Sequence, residues 1–192
     1  MQPQIKILSQ EILSDNWYTL YKVTYDYKGR TGTWQTQSRE AYDRGNGAAI
    51  LLYNPATGNV ILTNQFRLPT YINGNTSGML IEACAGLLDE NNPEECIRRE
   101  AEEETGFRIQ EVKKAFDAYM SPGSVTEILH MFVAEYSPEM KISKGGGLEH
   151  EQEEIEVLEV HISKALAMIE SGEIRDGKTI MLLQYVKLQK LL

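Results

Sequence analysis

The sequence predicts an α/β sandwich of mixed sheets carrying an N-terminal antiparallel β appendage, and two observations lead there. Several apolar strands come first, then one central helix, more strands and two terminal helices, which is not the strict alternation of a doubly wound sheet. The chain also changes character near residue 43, from aromatic-rich alternation to continuous apolar runs, so residues 1–42 form the appendage and 43–192 the main domain. A chain of 192 residues is long enough to bury a substantial core.

Each element has its own signal. WYTLYKVTYDY (Trp17 to Tyr27) alternates, with Trp17, Tyr21, Val23, Tyr25 and Tyr27 on one face. Lys28-Gly29-Arg30 marks a hairpin before TGTWQTQSREAY, a second β-like run. Two or three such strands cannot bury both faces by themselves, so they pack on the main domain or on a second subunit. AAILLYN and NVILTNQFR are apolar strands joined by a turn at Asn54 to Asn59, and GMLIEACAG is a short strand ending at Gly86. Asn91 or Asn92 caps a helix with Pro93 in its first turn, running to about Thr105 and stopped by Gly106. Strands follow near Val112–Tyr119 and Ile128–Tyr136. The polar loop KISKGGGLEHEQEE separates them from the strand IEVLEV. Ser163 caps a helix through Ile169, and Asp176 caps the last one.

Composition narrows the function. A net charge of −9 without a basic tract argues against nucleic-acid binding as the main task. Cys84 and Cys96 lack metal-ligand spacing and sit among apolar residues, which reads as buried thiols in a reducing cytosol. The first residues carry no basic and apolar leader pattern, and no stretch reaches membrane-span length, so a soluble cytoplasmic protein is expected.

REAEEETG (Arg99 to Gly106) packs four carboxylates into five positions. With about 100° of rotation per residue, Glu100, Glu103 and Glu104 share one face and Glu102 points nearly opposite, within reach of Arg98. Arg99 reaches Glu103, while Ile97 and Ala101 pack the helix onto the sheet. Two readings stand: a solvated acidic face, which most charge runs are, and a metal cradle. The second gains weight because no lysine follows the glutamates and the helix macrodipole disfavours negative charge in its C-terminal half. A hard divalent cation would relieve both, and the strand end at Ala85-Gly86 can offer a carbonyl.

GLLDENNPEECIRREAEEETGF (Gly86 to Phe107) resembles the Nudix box. Arg99, Glu100, Ala101, Glu103, Glu104, Gly106 and Phe107 match its second half, and the spacing from Gly86 to Arg99 is one residue short. Beyond the box, SRE (Ser38–Glu40), NQFR (Asn64–Arg67), SPGSVTE (Ser121–Glu127) and the late GGG-acidic loop resemble the ADP-ribose/nucleotide-sugar pyrophosphatase branch of that family along nearly the whole chain. The resemblance implies a sandwich of mixed sheets between helices and Mg²⁺-dependent hydrolysis of a nucleotide-sugar diphosphate, with Mn²⁺ as a substitute. It ranks GDP-mannose first and ADP-ribose or another nucleotide sugar as the alternative. A homodimer using the N-terminal strands is also implied. From a different class, a nucleotide-sugar-binding regulator of the same fold is the rival, against which the complete acidic cluster argues.

By the same resemblance, the Ala85 carbonyl, Glu100, Glu104 and Glu151 hold the metal. Trp17, Ser38, Arg39, Glu40, Arg67, Ala85, Gly86, Leu87, Glu104, Glu127, His150 and Asp176 meet substrate. Glu151, then Glu153, supplies the loop base or third ligand, and Glu103 is the fallback base. On local grounds alone a surface ion pair is the leading reading of Arg67 and a helix cap that of Asp176, while Arg39 and Glu40 equally suit a hairpin pair and Trp17 a packed interface. His130, inside an apolar strand, reads as a satisfied core histidine.

Overall fold

The computed structural model describes residues 4–88, 92–148 and 153–192. They form two compact units: Met1–Asn46 with Tyr119–Ile128, and Gly47–Ala118 with Leu129–Leu192.

The first unit is an antiparallel three-stranded sheet, β1 (Gln4–Asp15), β2 (Thr19–Lys28) and β3 (Trp34–Asp43), in that order. The β2–β3 hairpin forms where the Lys28-Gly29-Arg30 turn signal lies. Strand β1 carries no sustained two-residue period in its sequence and is not among the expected strands. Its register shifts between Ile7 and Ser9 and between Ile12 and Ser14, and such irregularities erase the two-residue alternation. Trp17 is corrected too: it sits in the turn between β1 and β2 rather than on the face of Tyr21, Val23, Tyr25 and Tyr27. Residues after Tyr119 join the end of β3, with Tyr42 N–H donating to the Ser124 carbonyl at 2.8 Å and Thr126 N–H to the Tyr42 carbonyl at 3.1 Å.

The second unit is built on a mixed sheet of seven strands. These are β4 (Gly47–Asn54), β5 (Asn59–Phe66), β6 (Met79–Glu82), β7 (Cys84–Leu87), β8 (Lys113–Tyr119), β9 (Ile128–Glu135) and β10 (Glu156–His161). The strands run β10-β5-β4-β9-β8, with β4 and β9 parallel. β4 is buried along its whole length, as expected of a strand with neighbours on both edges and cover on both faces. It pairs with β5 only at Leu52–Asn54, where the turn signal closes the hairpin. Beyond that the two strands diverge, and β6 and β7 fill the gap, β6 on β5 and β7 on β4. The single strand expected over GMLIEACAG is therefore two, broken at Ala83.

Four helices accompany the sheet: α1 (Leu68–Ile72), α2 (Pro93–Glu100), α3 (Ile162–Ser171) and α4 (Gly177–Leu188). Asn92 caps α2, its Oδ1 accepting the Glu94 and Glu95 N–H groups at 3.0 Å. Ile97 and Ala101 are fully buried against Ile50, Leu52 and Phe132. Asp176 caps α4 as the sequence indicated, whereas His161, not Ser163, caps α3, with its Nδ1 accepting Ser163 N–H. Among the described residues no helix is long and apolar enough to cross a membrane. Both cysteines are buried.

Candidate active site

The acidic stretch does not continue α2 as one regular helix. From Ala101 to Thr105 the backbone opens into a wider π-type turn, ending at Gly106 with φ near 80°. Such turns recur at functional sites. Here the turn changes which partners the glutamates meet. Glu102 forms a bidentate pair with Arg108 at 2.8 and 2.9 Å, and Arg98 pairs with Glu94 at 3.8 Å instead, so the expected Arg98–Glu102 pair does not form. The chain reversal at Gly106 brings a planar guanidinium to Glu102 in fork geometry, which an i,i+4 pair cannot match. Arg99 reaches Glu103 at 3.9 Å as expected and also touches Glu100 at 3.2 Å.

Glu104 is 2 % exposed, and its Oε2 has no hydrogen-bond partner. Burial pushes its carboxyl up to about 8; Glu100 and Glu153 push the same way, while a hydrogen bond from the Cys84 thiol and the charge of Arg67 pull back. Glu100 is likewise raised, by burial first, with Glu103 and Glu153 adding to it and Arg99 opposing. Strand β7 lies against these carboxylates. Cys84 meets Glu104, and a Cβ on Gly86 would fall 2.2 Å from Glu100 Cδ, so only glycine lets the strand approach so closely. Ala85, between them in sequence, pairs with Ala49 of β4, and Leu87 with Gly47.

A divalent cation fits this donor set: an orphaned buried carboxylate oxygen on Glu104 and a second, half-buried carboxylate on Glu100, both hard oxygen donors beside β7. No three His, Cys, Asp or Glu side chains among the described residues already close on one point, so holding an ion requires the mutually repelling carboxylates to draw together.

The loop after Met140 wraps this end of the helix. Gly146 N–H donates to the Glu104 carbonyl at 2.8 Å and Gly147 N–H to the Glu103 carbonyl at 3.2 Å. Glu153 returns to the same place, accepting Leu148 N–H on Oε2 at 3.2 Å. Its charge is felt by both Glu100 and Glu104. Glu151 and His150 lie outside the described residues.

Beside the carboxylates is a buried charge chain that sequence reasoning found only in part. Arg67 Nε donates to Glu82 Oε2 at 2.6 Å; Glu82 also accepts from Lys178, which reaches Asp176 at 3.2 Å. Asp176 in turn accepts Thr179 N–H at 3.0 Å, and Thr179 Oγ1 accepts Ala83 N–H at 2.7 Å. Burial alone would lower the Arg67 guanidinium, yet Glu82, helped by Glu104 and Asp176, holds it above its ordinary value. Arg67 thus forms an ion pair, but with a buried carboxylate and not the surface pair expected; it stands within electrostatic reach of Glu104, and Asp176 does cap a helix. Glu82 and Lys178, 3 and 8 % exposed, were missed. A lone carboxylate inside the apolar run MLIEACAG was the available signal, because such a group stays buried only when paired.

The remaining candidates belong to the first unit. Trp17 is 85 % exposed and edge-on to Tyr18, and Tyr18 is edge-on to Tyr42. Arg44 lies 5.5 Å from the Tyr18 ring centroid and 3.5 Å from the buried Glu127 carboxylate. Ser38 Oγ is 2.9 Å from Thr24 Oγ1, Arg39 Nη1 donates to the Ser38 carbonyl at 2.8 Å, and Glu40 stands opposite Lys22 across the β2–β3 ladder. Arg39 and Glu40 do not need each other. In the second unit His130 bonds the exposed Asp117 at 2.7 Å; it is satisfied as foreseen but half-buried, not in the core.

The NUDIX domain family matches residues 43–182, which hold the mixed sheet and the carboxylate-bearing helix end, and the chain belongs to that family. The GDP-mannose pyrophosphatase NudK N-terminal domain family matches residues 4–42. A GDP-mannose pyrophosphatase of Pectobacterium atrosepticum is 59 % identical over 96 % of this chain and 95 % of its own length. Another, from Yersinia enterocolitica, is 56 % identical over the full length of both. A crystal structure of an ADP compounds hydrolase shares the fold, with a TM-score of 0.71 and 18 % identity over 97 % of this chain and 94 % of that one.

Proposed function

We propose that this chain hydrolyses the diphosphate of GDP-mannose, yielding GMP and mannose 1-phosphate, with Mg²⁺ or Mn²⁺ held by Glu100, Glu104, the Ala85 carbonyl and one loop carboxylate, Glu151 first and Glu153 second. The observation that carries the metal reading is the buried, partnerless Oε2 of Glu104. The full-length relatives named as GDP-mannose pyrophosphatases carry the substrate. A bound divalent cation offsets the charge of carboxylates and diphosphate and acidifies water.

The chain's own residues do the rest. One carboxylate of the loop or helix, Glu151 or Glu153 ahead of Glu103, accepts a proton from water as its oxygen attacks one phosphorus. The bridging P–O bond breaks, and the departing phosphate keeps the bridging oxygen. Arg67, fixed by Glu82, presents a guanidinium to the diphosphate. Gly86, lacking a side chain, leaves room for Glu100. Trp17, Ser38, Arg39, Glu40, Leu87, Glu127, His150 and Asp176 remain assigned to substrate, and residues 1–42 to an appendage through which two copies of the chain associate as a homodimer.

The test is hydrolysis of GDP-mannose, ADP-ribose, ADP-glucose and nucleoside triphosphates, with Mg²⁺ and with excess EDTA. GDP-mannose with Mg²⁺ is expected to lead by kcat/KM. Undiminished turnover in EDTA would sink the metal reading, and a wide lead for ADP-ribose the substrate.

A further inference from the structure

The GGG segment reads in sequence as a hinge, but its geometry is that of a clasp. Gly145, Gly146 and Gly147 all have positive φ, at 69°, 112° and 81°. A π-type turn leaves its last carbonyls without partners inside the helix, and the N–H groups of Gly146 and Gly147 satisfy those of Glu104 and Glu103. A Cβ on Gly145 would sit 2.4 Å from the Glu104 carbonyl oxygen. The exit of the loop is tied to its entry, since Ile155 N–H donates to the Gly146 carbonyl at 3.2 Å and Glu153 N–H to the Leu148 carbonyl at 3.4 Å. Glu153 then lies over Gly147, where a Cβ would stand 2.5 Å from Glu153 Oε2 and 2.6 Å from its Cβ.

We propose that Gly147 is a positioning residue: the absence of its side chain creates the seat in which the Glu153 carboxylate is held against the acidic helix end, and its N–H locks that seat to the Glu103 carbonyl. The inference rests on the reading of Glu153 as a working carboxylate of the hydrolase. Replacing Gly147 leaves every charge of the site in place and moves only one of them. Misplacing a reacting group by about 1 Å can cost on the order of a hundredfold in rate.

The experiment compares Gly147→Ala, Glu153→Gln, their combination and Gly172→Ala in the full chain. Gly172 ends α3 with φ near 80° and has nothing within 4 Å of an added Cβ, so its variant carries the backbone strain without the clash. Gly147→Ala is expected to lower kcat for GDP-mannose by roughly ten- to a hundredfold with KM within about twofold. The double variant should be no slower than Glu153→Gln alone, because both act through one carboxylate. Mn²⁺ affinity, read by electron paramagnetic resonance of the free ion, should fall alike in Gly147→Ala and Glu153→Gln. Equal kcat for Gly147→Ala and Gly172→Ala, or losses that multiply in the double variant, overturns the proposal. If the wild type does not hydrolyse GDP-mannose, the substrate reading fails, and the Mn²⁺ titration decides this one: unchanged affinity in Gly147→Ala refutes it. Gly147→Asn, whose side chain tolerates positive φ, carries the same clash and replaces Gly147→Ala if that variant does not fold.

Discussion

Glu104 sets two demands against each other. A carboxyl buried to 2 % exposure and raised to about 8 makes the folded chain favour the protonated form, whereas a cation needs the charged one. The sign of the linkage follows. A group whose folded pKa lies above its unfolded value contributes stability that is complete below the unfolded value and lost as pH rises through the folded one. In chelator, the thermal midpoint is therefore expected to fall between about pH 4.5 and 8, and added Mg²⁺ should reduce that fall. Glu104→Gln removes the ionisation while keeping shape. It should flatten the pH dependence in chelator, equal or exceed wild-type stability at pH 8, and abolish turnover. Calorimetry of both proteins across the pH range checks this, and parallel slopes would assign the titration to other groups.

At the scale of elements, most of the strands and all of the long helices were legible because they combine a period with a terminator: Asn92 and Pro93 before α2, Asp176 before α4, glycines at 106 and 172. What escaped had no period to show. Strand β1 is interrupted by register shifts, α1 is five residues long, and the β6–β7 break depends on how β4 and β5 diverge, which no local pattern records. The acidic triad and the Arg99–Glu103 pair were legible from spacing, but the partner of Glu102 was not, since the π-type turn and the Gly106 reversal assign it to Arg108. Glu82–Lys178 joins residues 96 positions apart and could be read only in three dimensions. The Asn92 cap belongs to the legible class and can be tested apart from chemistry. Asn92→Ala leaves the Glu94 and Glu95 N–H groups without their acceptor and should cost about 1 kcal/mol, or roughly 2–4 °C in a chain this size. Because Asn92 touches no carboxylate of the site, kcat should stay at the wild-type value; a fall would mean that α2's start governs where its acidic end sits.

At the scale of the whole molecule, the first unit presents apolar surface that its own three strands do not cover. Strand β1 lies at the sheet edge, and Ile5, Ile7, Leu8, Ile12 and Leu13 are 43–61 % exposed. A long exposed apolar edge strand invites pairing with another chain unless something blocks or covers it. Covering such a side chain contributes roughly 1.5–3 kcal/mol. The five are 43–61 % exposed, so each contributes about half of that; counted twice in an isologous dimer, together they are comparable to the association cost of about 4–15 kcal/mol. The expected assembly is a homodimer in which the β1 strands of two copies shield one another. Ile7→Lys with Ile12→Lys in the full chain places two charges on that surface while leaving every residue assigned to substrate intact. Light scattering behind size exclusion should show a dimer for the wild type and a monomer for the double variant. Deleting residues 1–40 should do worse, giving aggregation or loss of hydrolysis, because Trp17, Ser38, Arg39 and Glu40 leave with the strands. A truncated chain that stays monomeric, soluble and fully active would show that the appendage neither joins two copies nor serves the site.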